Sequence, residues 1–169
     1  MSKKHYIITS ITLGLIAASS GALIGLTNLI TKDRIAQNEE NRINNGICEI
    51  FGKNAVKMSD SEISGNYVKW VYNVKVDDVD SYKAYKTEGY NAYGKVSLLV
   101  GFTDTKDGYV FAGLSVVSNE QSYASTLTTQ YLEPLNEGTR DLDDVSCGAT
   151  YGAKLVRDMI NEATEVANK

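Results

Sequence analysis

The chain opens on an unbroken apolar stretch. From Tyr6 to Ile30, 25 consecutive residues carry no formal charge, and Ile, Leu, Ala and Gly dominate. About 20 such residues cross the hydrocarbon core of a bilayer as a helix, so residues 1–31 are expected to form a cytoplasmic tip and a transmembrane helix. A cleavable leader is the alternative, because Ala17, Ala18, Ser19, Ser20, Gly21 and Ala22 place small residues after an apolar run. The continuation from Leu23 to Ile30, which a leader does not need, favours a retained anchor. Next, Ile35, Ile43, Ile47 and Ile50 recur at roughly helical intervals among polar residues. That spacing predicts a juxtamembrane helix over residues 32–52 that lifts the following domain off the bilayer and ends near Gly52.

The pattern then changes period. A polar loop is expected around Ser59 to Gly65, and Tyr67 to Val76 alternates with many β-branched and aromatic residues, which predicts a strand. Further strands are expected at Tyr82 to Tyr85, Gly94 to Phe102 and Tyr109 to Val117. The last two are joined through the turn-rich Thr103 to Gly108, so antiparallel pairing is the simplest topology. Ala124 to Leu135 reads as a helix ended at Glu133-Pro134. Tyr151 to Ala167 reads as an amphipathic helix with Leu155, Met159, Ile160, Ala163 and Val166 on its apolar face. Strands clustered and then helices predict an α+β domain over residues 53–169, an antiparallel sheet with flanking helices, rather than a doubly wound sheet.

Charge sharpens the membrane reading. The formal net charge is -4, yet no Asp or Glu precedes Asp33. Lys3, Lys4 and the amino terminus favour a cytoplasmic N-terminus, against the weaker pull of Lys32 and Arg34 on the other flank, so the acidic domain is expected outside the cell membrane. No basic stripe is present to neutralise phosphates, which sets nucleic acid aside. Cys48 and Cys147 make no CxxC metal motif and no haem attachment, and they stand either as a disulfide or as two unpaired thiols. His5, the only histidine, sits in the basic flank and supports neither His catalysis nor a His-ligated metal. Gly21 and Gly25, extended by Ala17, form a small-residue face that another membrane helix could approach. Trp70 and most of the 11 tyrosines read as core and strand residues.

The candidate chemistry is concentrated in Asp144-Val-Ser-Cys-Gly-Ala-Thr150, which runs into the last helix. Helix N-termini bind anionic phosphate through free N–H groups and the dipole. An ordinary helix start, with Gly148 for the turn and Thr150 or Ser146 as the cap, accounts for the same residues. The segment resembles the flavinylation motif Asp-x-x-(Ser/Thr)-Gly-Ala-Thr, whose final threonine receives FMN as a phosphoester from a separate flavin transferase. Asp144, Gly148, Ala149 and Thr150 match, while Cys147 stands where Ser or Thr is usual.

The resemblance extends over most of the chain to the G-type member of the Rnf electron transport complex. The C-type member of the sodium-translocating NADH:quinone oxidoreductase is a relative. Asn28 to Ala36 is similar to the helix exit of the Rnf protein. Gly89 to Gly101 and Ala112 to Val117 are similar to its glycine-punctuated strands. The resemblance implies covalent FMN on Thr150, with Asp144, Ser146, Cys147, Gly148, Ala149 and Tyr151 around it, and Thr150 as an attachment point rather than a catalytic residue. It also implies electron relay with other membrane subunits of a complex that couples ferredoxin and NAD to Na⁺ or H⁺ transport. Asn119 to Thr126 departs from the family's His-x-Glu-Thr-Pro-Gly-Leu-Gly, and only Ser122 keeps the hydroxyl of its threonine. A stand-alone extracytoplasmic flavin carrier and a flavin-free binding module are the alternatives.

Overall fold

The computed structural model describes residues 3–169, with the side chains of residues 3–5 and 80 outside the description. The expectations resting on the amino terminus, Lys3, Lys4 and His5 therefore lie outside the described residues. The first element, α1, is helical over Lys3–Phe51. The chain divides into two compact units, Met1–Asn41 and Arg42–Lys169.

In the first unit the helix is long and apolar enough to cross a membrane. Its large apolar side chains stand open, Leu29 at 74% and Ile24 at 72% exposure. The hydroxyls are consumed internally: Thr12 donates to the Ile8 carbonyl at 2.9 Å, Ser19 to that of Leu15 at 2.9 Å and Thr27 to that of Leu23 at 2.8 Å. Thr31 likewise donates to the Thr27 carbonyl. Such back-bonding leaves no free hydroxyl donor at these positions, the condition a hydrocarbon environment imposes.

The second unit begins at Arg42, inside the segment expected as a juxtamembrane helix. Its sheet has five strands: β1 (Ala55–Glu62), β2 (Val68–Val76), β3 (Val79–Asn91), β4 (Gly94–Thr105) and β5 (Gly108–Asn119). They pair in sequential order, all antiparallel. The α+β arrangement expected from the sequence is the one found. One strand more is present than the pattern revealed. β1 occupies the Ser59 to Glu62 part of the expected polar loop, and Ala55 is its only buried residue. An edge strand with both faces in water carries no alternation to read. The β2–β3 turn was equally silent, because Asp77 and Asp78 adopt positive φ (46° and 69°) in a two-residue hairpin where Gly or Asn is commoner.

β4 explains why the sheet is covered on both sides. Val96, Leu98, Val100 and Phe102 enter one core and Leu99 the other. On the first face lie α2 (Ala124–Leu127), a π-helical segment (Thr128–Leu132), α3 (Glu133–Asn136) and α4 (Thr150–Ala167). Here Val68, Tyr85 and Leu114 meet Leu127, Tyr131, Val156 and Met159. On the other, Ile43 and Ile47 of α1 meet Tyr72, Val74, Ala84 and Leu99, with Trp70 half-buried beside them.

The helix expected to stop at Glu133-Pro134 continues to Asn136. Proline removes one N–H donor and crowds the preceding turn. The chain absorbs this by widening: the Glu133 N–H reaches the Thr128 carbonyl, five residues back. Beyond Pro134, Asn136 donates its side-chain N–H to the Leu114 carbonyl and accepts the Leu114 N–H, both at 2.7 Å, so the side chain bonds the open edge of β5. At the far end of β2, Glu162 of α4 accepts the N–H groups of Tyr67 at 3.0 Å and Val68 at 3.3 Å.

Two of these contacts can be tested directly. A Cβ at Gly101 would lie 2.5 Å from Ile50 Cγ2 and 2.7 Å from Phe51 Cζ. Gly101→Ala should therefore push the end of α1 off the sheet and cost about 1–3 kcal/mol in denaturant unfolding. Glu88 bridges Lys86 at 3.0 Å and Lys95 at 2.7 Å. Burial opposes its charge, but the hydrogen bonds from Lys95 and Lys86 outweigh burial and hold the carboxyl below its ordinary 4.5. A carboxyl lowered in the folded state stabilises above its unfolded value and loses that contribution as pH falls through its folded value. The stability difference between the wild type and Glu88→Gln should thus be constant at neutral pH and shrink below about 4.5.

Candidate functional site

α4 is an 18-residue amphipathic helix whose first turn emerges from the loop of residues 140–149. Its first intrahelical bond runs from the Ala153 N–H to the Ala149 carbonyl. The N–H groups of Thr150, Tyr151 and Gly152 thus have no acceptor within the helix. Ala149 occupies the cap position, and no side chain caps the helix. Neither Thr150 nor Ser146 serves as the cap. Instead the Thr150 hydroxyl turns back and donates to the Cys147 carbonyl at 2.6 Å.

The loop leading to Thr150 is held by one guanidinium. Arg140 donates from Nε to the Asp144 carbonyl at 2.8 Å, from Nη2 to the Ser146 carbonyl at 2.6 Å and from Nη1 to the Gln130 carbonyl. The Gln130 carbonyl is the acceptor that the N–H missing from Pro134 would have used in an α-helix. Nη2 also pairs with Asp144 Oδ2 at 3.1 Å, and Asp144 Oδ1 accepts the Ser146 N–H at 3.3 Å. Gln130 adds its side chain, accepting the Gly148 N–H at 2.9 Å. A Cβ at Gly148 would meet Thr126 Cγ2 at 2.8 Å, so any larger residue there would have to displace Thr126 for the loop to close on α2. Below the loop, the buried Tyr131 donates to the Leu142 carbonyl at 2.5 Å. Burial pushes its phenol up to about 12, so this proton stays in place.

Around Thr150 the chain leaves a cleft of about 270 Å³ lined by Tyr93, Gln121, Tyr123, Gly148, Ala149, Thr150, Tyr151 and Gly152. Three segments build it: the tip of the β3–β4 hairpin, the residues after β5, and the start of α4. Two amides join them. Asn91 donates to the Tyr151 carbonyl at 3.2 Å and accepts the Tyr93 N–H at 2.8 Å. The buried Gln121 donates to Asn91 Oδ1 at 3.1 Å and to the Gly94 carbonyl at 2.6 Å.

Of the residues singled out in the sequence, Gly148, Ala149, Thr150 and Tyr151 line this cleft. Asp144 and Ser146 are brought to it indirectly, as the parts Arg140 grips. Cys147 is half-buried against the main core and presents its carbonyl to Thr150. Ser122 is exposed, and its hydroxyl donates to the Tyr93 carbonyl at 3.2 Å rather than lining the cleft. Cys48 and Cys147 are both free thiols, and no metal-binding cluster occurs among the described residues. The sequence reading missed Tyr93, Gln121, Tyr123 and Arg140. A signal existed for Arg140, the only base between Lys106 and Lys154. For Tyr93 the Asn91 and Gly94 that flank it mark a turn.

The residues present fit a phosphoester with an aromatic ring attached. The first turn of α4, whose N–H groups have no acceptor within the helix, suits a phosphate, and aromatic faces line the adjoining space. The volume lies just under the roughly 300–1,000 Å³ of pockets that enclose a small ligand, so a tethered ring would keep one side in solvent.

Arg140→Ala should strip donors from three carbonyls at once and destabilise the unit by about 1.5–3 kcal/mol. Amide exchange should rise over residues 141–148, and Arg140→Lys should recover only part of the protection because a single ammonium cannot span the three acceptors.

A family model described as the RnfG N-terminal region matches residues 1–46. None of the curated proteins compared with the chain matches it. The match covers the apolar part of α1 and the turns that begin the second unit, whereas the segment from Asp144 to Thr150 stands on its own residues. In its N-terminal region, then, the chain resembles the RnfG protein of the Rnf complex.

Proposed function

We propose that the chain is a membrane-anchored flavoprotein that carries FMN esterified to Thr150 and relays electrons within an Rnf-like ion-translocating ferredoxin:NAD oxidoreductase complex. The observation that carries the reading is the coincidence of Asp144, Gly148, Ala149 and Thr150 at motif spacing with a cleft at the head of α4. The match at residues 1–46 supports it from the other end of the chain, because proteins of the RnfG family bind flavin and belong to an assembly of several subunits. The apolar helix is the anchor, with its N-terminus cytoplasmic and the acidic domain outside. A separate flavin transferase matures the chain, and other membrane subunits exchange electrons with it.

Bound at this site, FMN supplies reversible electron uptake by its ring system. The chain's own residues do the holding. Esterification by the transferase would break a phosphoanhydride P–O bond of a flavin dinucleotide donor and release its nucleoside monophosphate as the Thr150 Oγ1–P bond forms. Oγ1 gives up its proton in that step, so its hydrogen bond to the Cys147 carbonyl must break. The first turn of α4, Thr150 to Gly152, would hold the ester's phosphate at the positive end of the helix dipole. Arg140 fixes the approach of the loop without touching Thr150. A covalent tether prevents loss of the cofactor to the outside medium. The cleft is open on one side, where a ring held in it would remain accessible to a redox partner.

The test is a mass measurement. Coexpressed with a flavin transferase, the wild-type chain should gain an FMN-sized increment on the peptide containing Thr150, and a denaturing gel should show a fluorescent band. Thr150→Ala should lose both. A wild-type chain that stays unmodified under these conditions sinks the reading.

A further inference from the structure

Three tyrosines crowd the cleft beside Thr150. The Tyr93 and Tyr151 rings are stacked, 5.4 Å between centroids at 24°, and Tyr123 stands 6.3 Å from Tyr93 at 55°. Tyr123 and Tyr151 are 57% and 64% exposed, whereas Tyr131 and Tyr85 are packed away in the core. Folding normally removes ring faces from water. Here the backbone around the open rings is fastened: Asn91 binds the Tyr93 N–H and the Tyr151 carbonyl, and the Ser122 N–H donates to the Tyr93 carbonyl at 2.8 Å. Lys154 lies 5.9 Å over the Tyr151 ring and brings a positive charge to the same rim.

We infer that Tyr123 and Tyr151, backed by Tyr93, form the surface on which the planar ring of the group esterified to Thr150 stacks. The inference rests on the flavin reading above and adds to it the residues that hold the ring. Tyr151 follows Thr150 directly, so a ring tethered at Thr150 starts beside it. Both rings line the cleft together with the helix start that receives the phosphate. Offset stacking suits such faces and requires no hydrogen bond specific to one ring substituent. The exposed edge of the pair stays open to an electron partner. Ser122, expected to supply a hydroxyl to the ring, instead ties this segment to the Tyr93 carbonyl, and Tyr123 beside it supplies the contact.

Stacking on tyrosine quenches flavin fluorescence, which gives a readout independent of electron transfer. The full-length chain, modified by a flavin transferase and purified in detergent, is compared before and after denaturation. Wild type should be strongly quenched when native and brighten several-fold on unfolding. Tyr123→Leu and Tyr151→Leu should each lose much of the native quench. Tyr90→Leu, at an 83% exposed ring outside the cleft, should keep it. The mass of the Thr150 peptide is measured on every sample. Variants that carry the full increment yet stay as quenched as wild type overturn the stacking surface and leave the flavin reading intact. A wild-type chain without the increment overturns both.

Discussion

The arrangement of this protein depends on a sheet with one strand, β4, that is apolar on both faces. Val96, Leu98, Val100 and Phe102 cannot be left in water, and neither can Leu99 on the opposite side. Fully burying such side chains contributes about 1.5–3 kcal/mol each, as an upper estimate. The sheet therefore recruits helices to both sides. The C-terminal turns of α1 answer one face, so a segment that reads as a spacer becomes core from Ile43 onward. α4 answers the other, and its apolar stripe of Leu155, Val156, Met159 and Ile160 fixes the rotation of the helix. Once that rotation is fixed, so is the direction of its first turn, and Thr150 opens on the cleft as a consequence of packing.

Packing alone does not shape the loop that delivers Thr150. Residues 140–149 set Leu142, Val145, Cys147 and Ala149 against the core, but the loop has no regular ladder to pair its backbone carbonyls. Arg140 resolves this with a planar fork that meets three carbonyls and one carboxylate. One of those carbonyls is orphaned by Pro134, so the only proline in the chain and the clamp are parts of one device. Asp144 thereby acquires a structural role of its own. Under the proposed function, a transferase would meet a loop whose shape is set beforehand by the Asp144 pair with Arg140.

Much of the fold was legible because it depends on periodicity. The strands from Val68 onward and the last helix bury one face or both, and burial is what a hydrophobic pattern records, while the apolar span shows itself by its length and lack of charge alone. The unread parts are those fixed by hydrogen bonding instead. β1 is an exposed edge held by its ladder with β2, the Asp77-Asp78 hairpin uses a backbone conformation, and the continuation of the helix past Pro134 uses a widened turn. At the site the division is the same. The sequence located Thr150 and its neighbours because they are contiguous. Tyr93, Gln121 and Tyr123 come from separate segments that only the amides of Asn91 and Gln121 bring together.

This division bears on the two places where the chain departs from the flavinylation family. At Cys147 the side chain packs into the core while the carbonyl accepts the Thr150 hydroxyl. The difference from Ser or Thr therefore falls on the half of the residue that Thr150 does not touch. The altered segment from Asn119 to Thr126 is different in kind. Its Gln121 is buried and donates twice, and its neighbour Tyr123 opens a ring toward the cleft. Polar anchoring and an aromatic face thus occupy the ground where the family has proline and glycines. At Cys147 the departure leaves the contact with the Thr150 hydroxyl to the backbone. Between Asn119 and Thr126 the departure changes the surface of the cleft itself, so under the proposed function it would alter the environment offered to the ring and the electrostatics that set its potential.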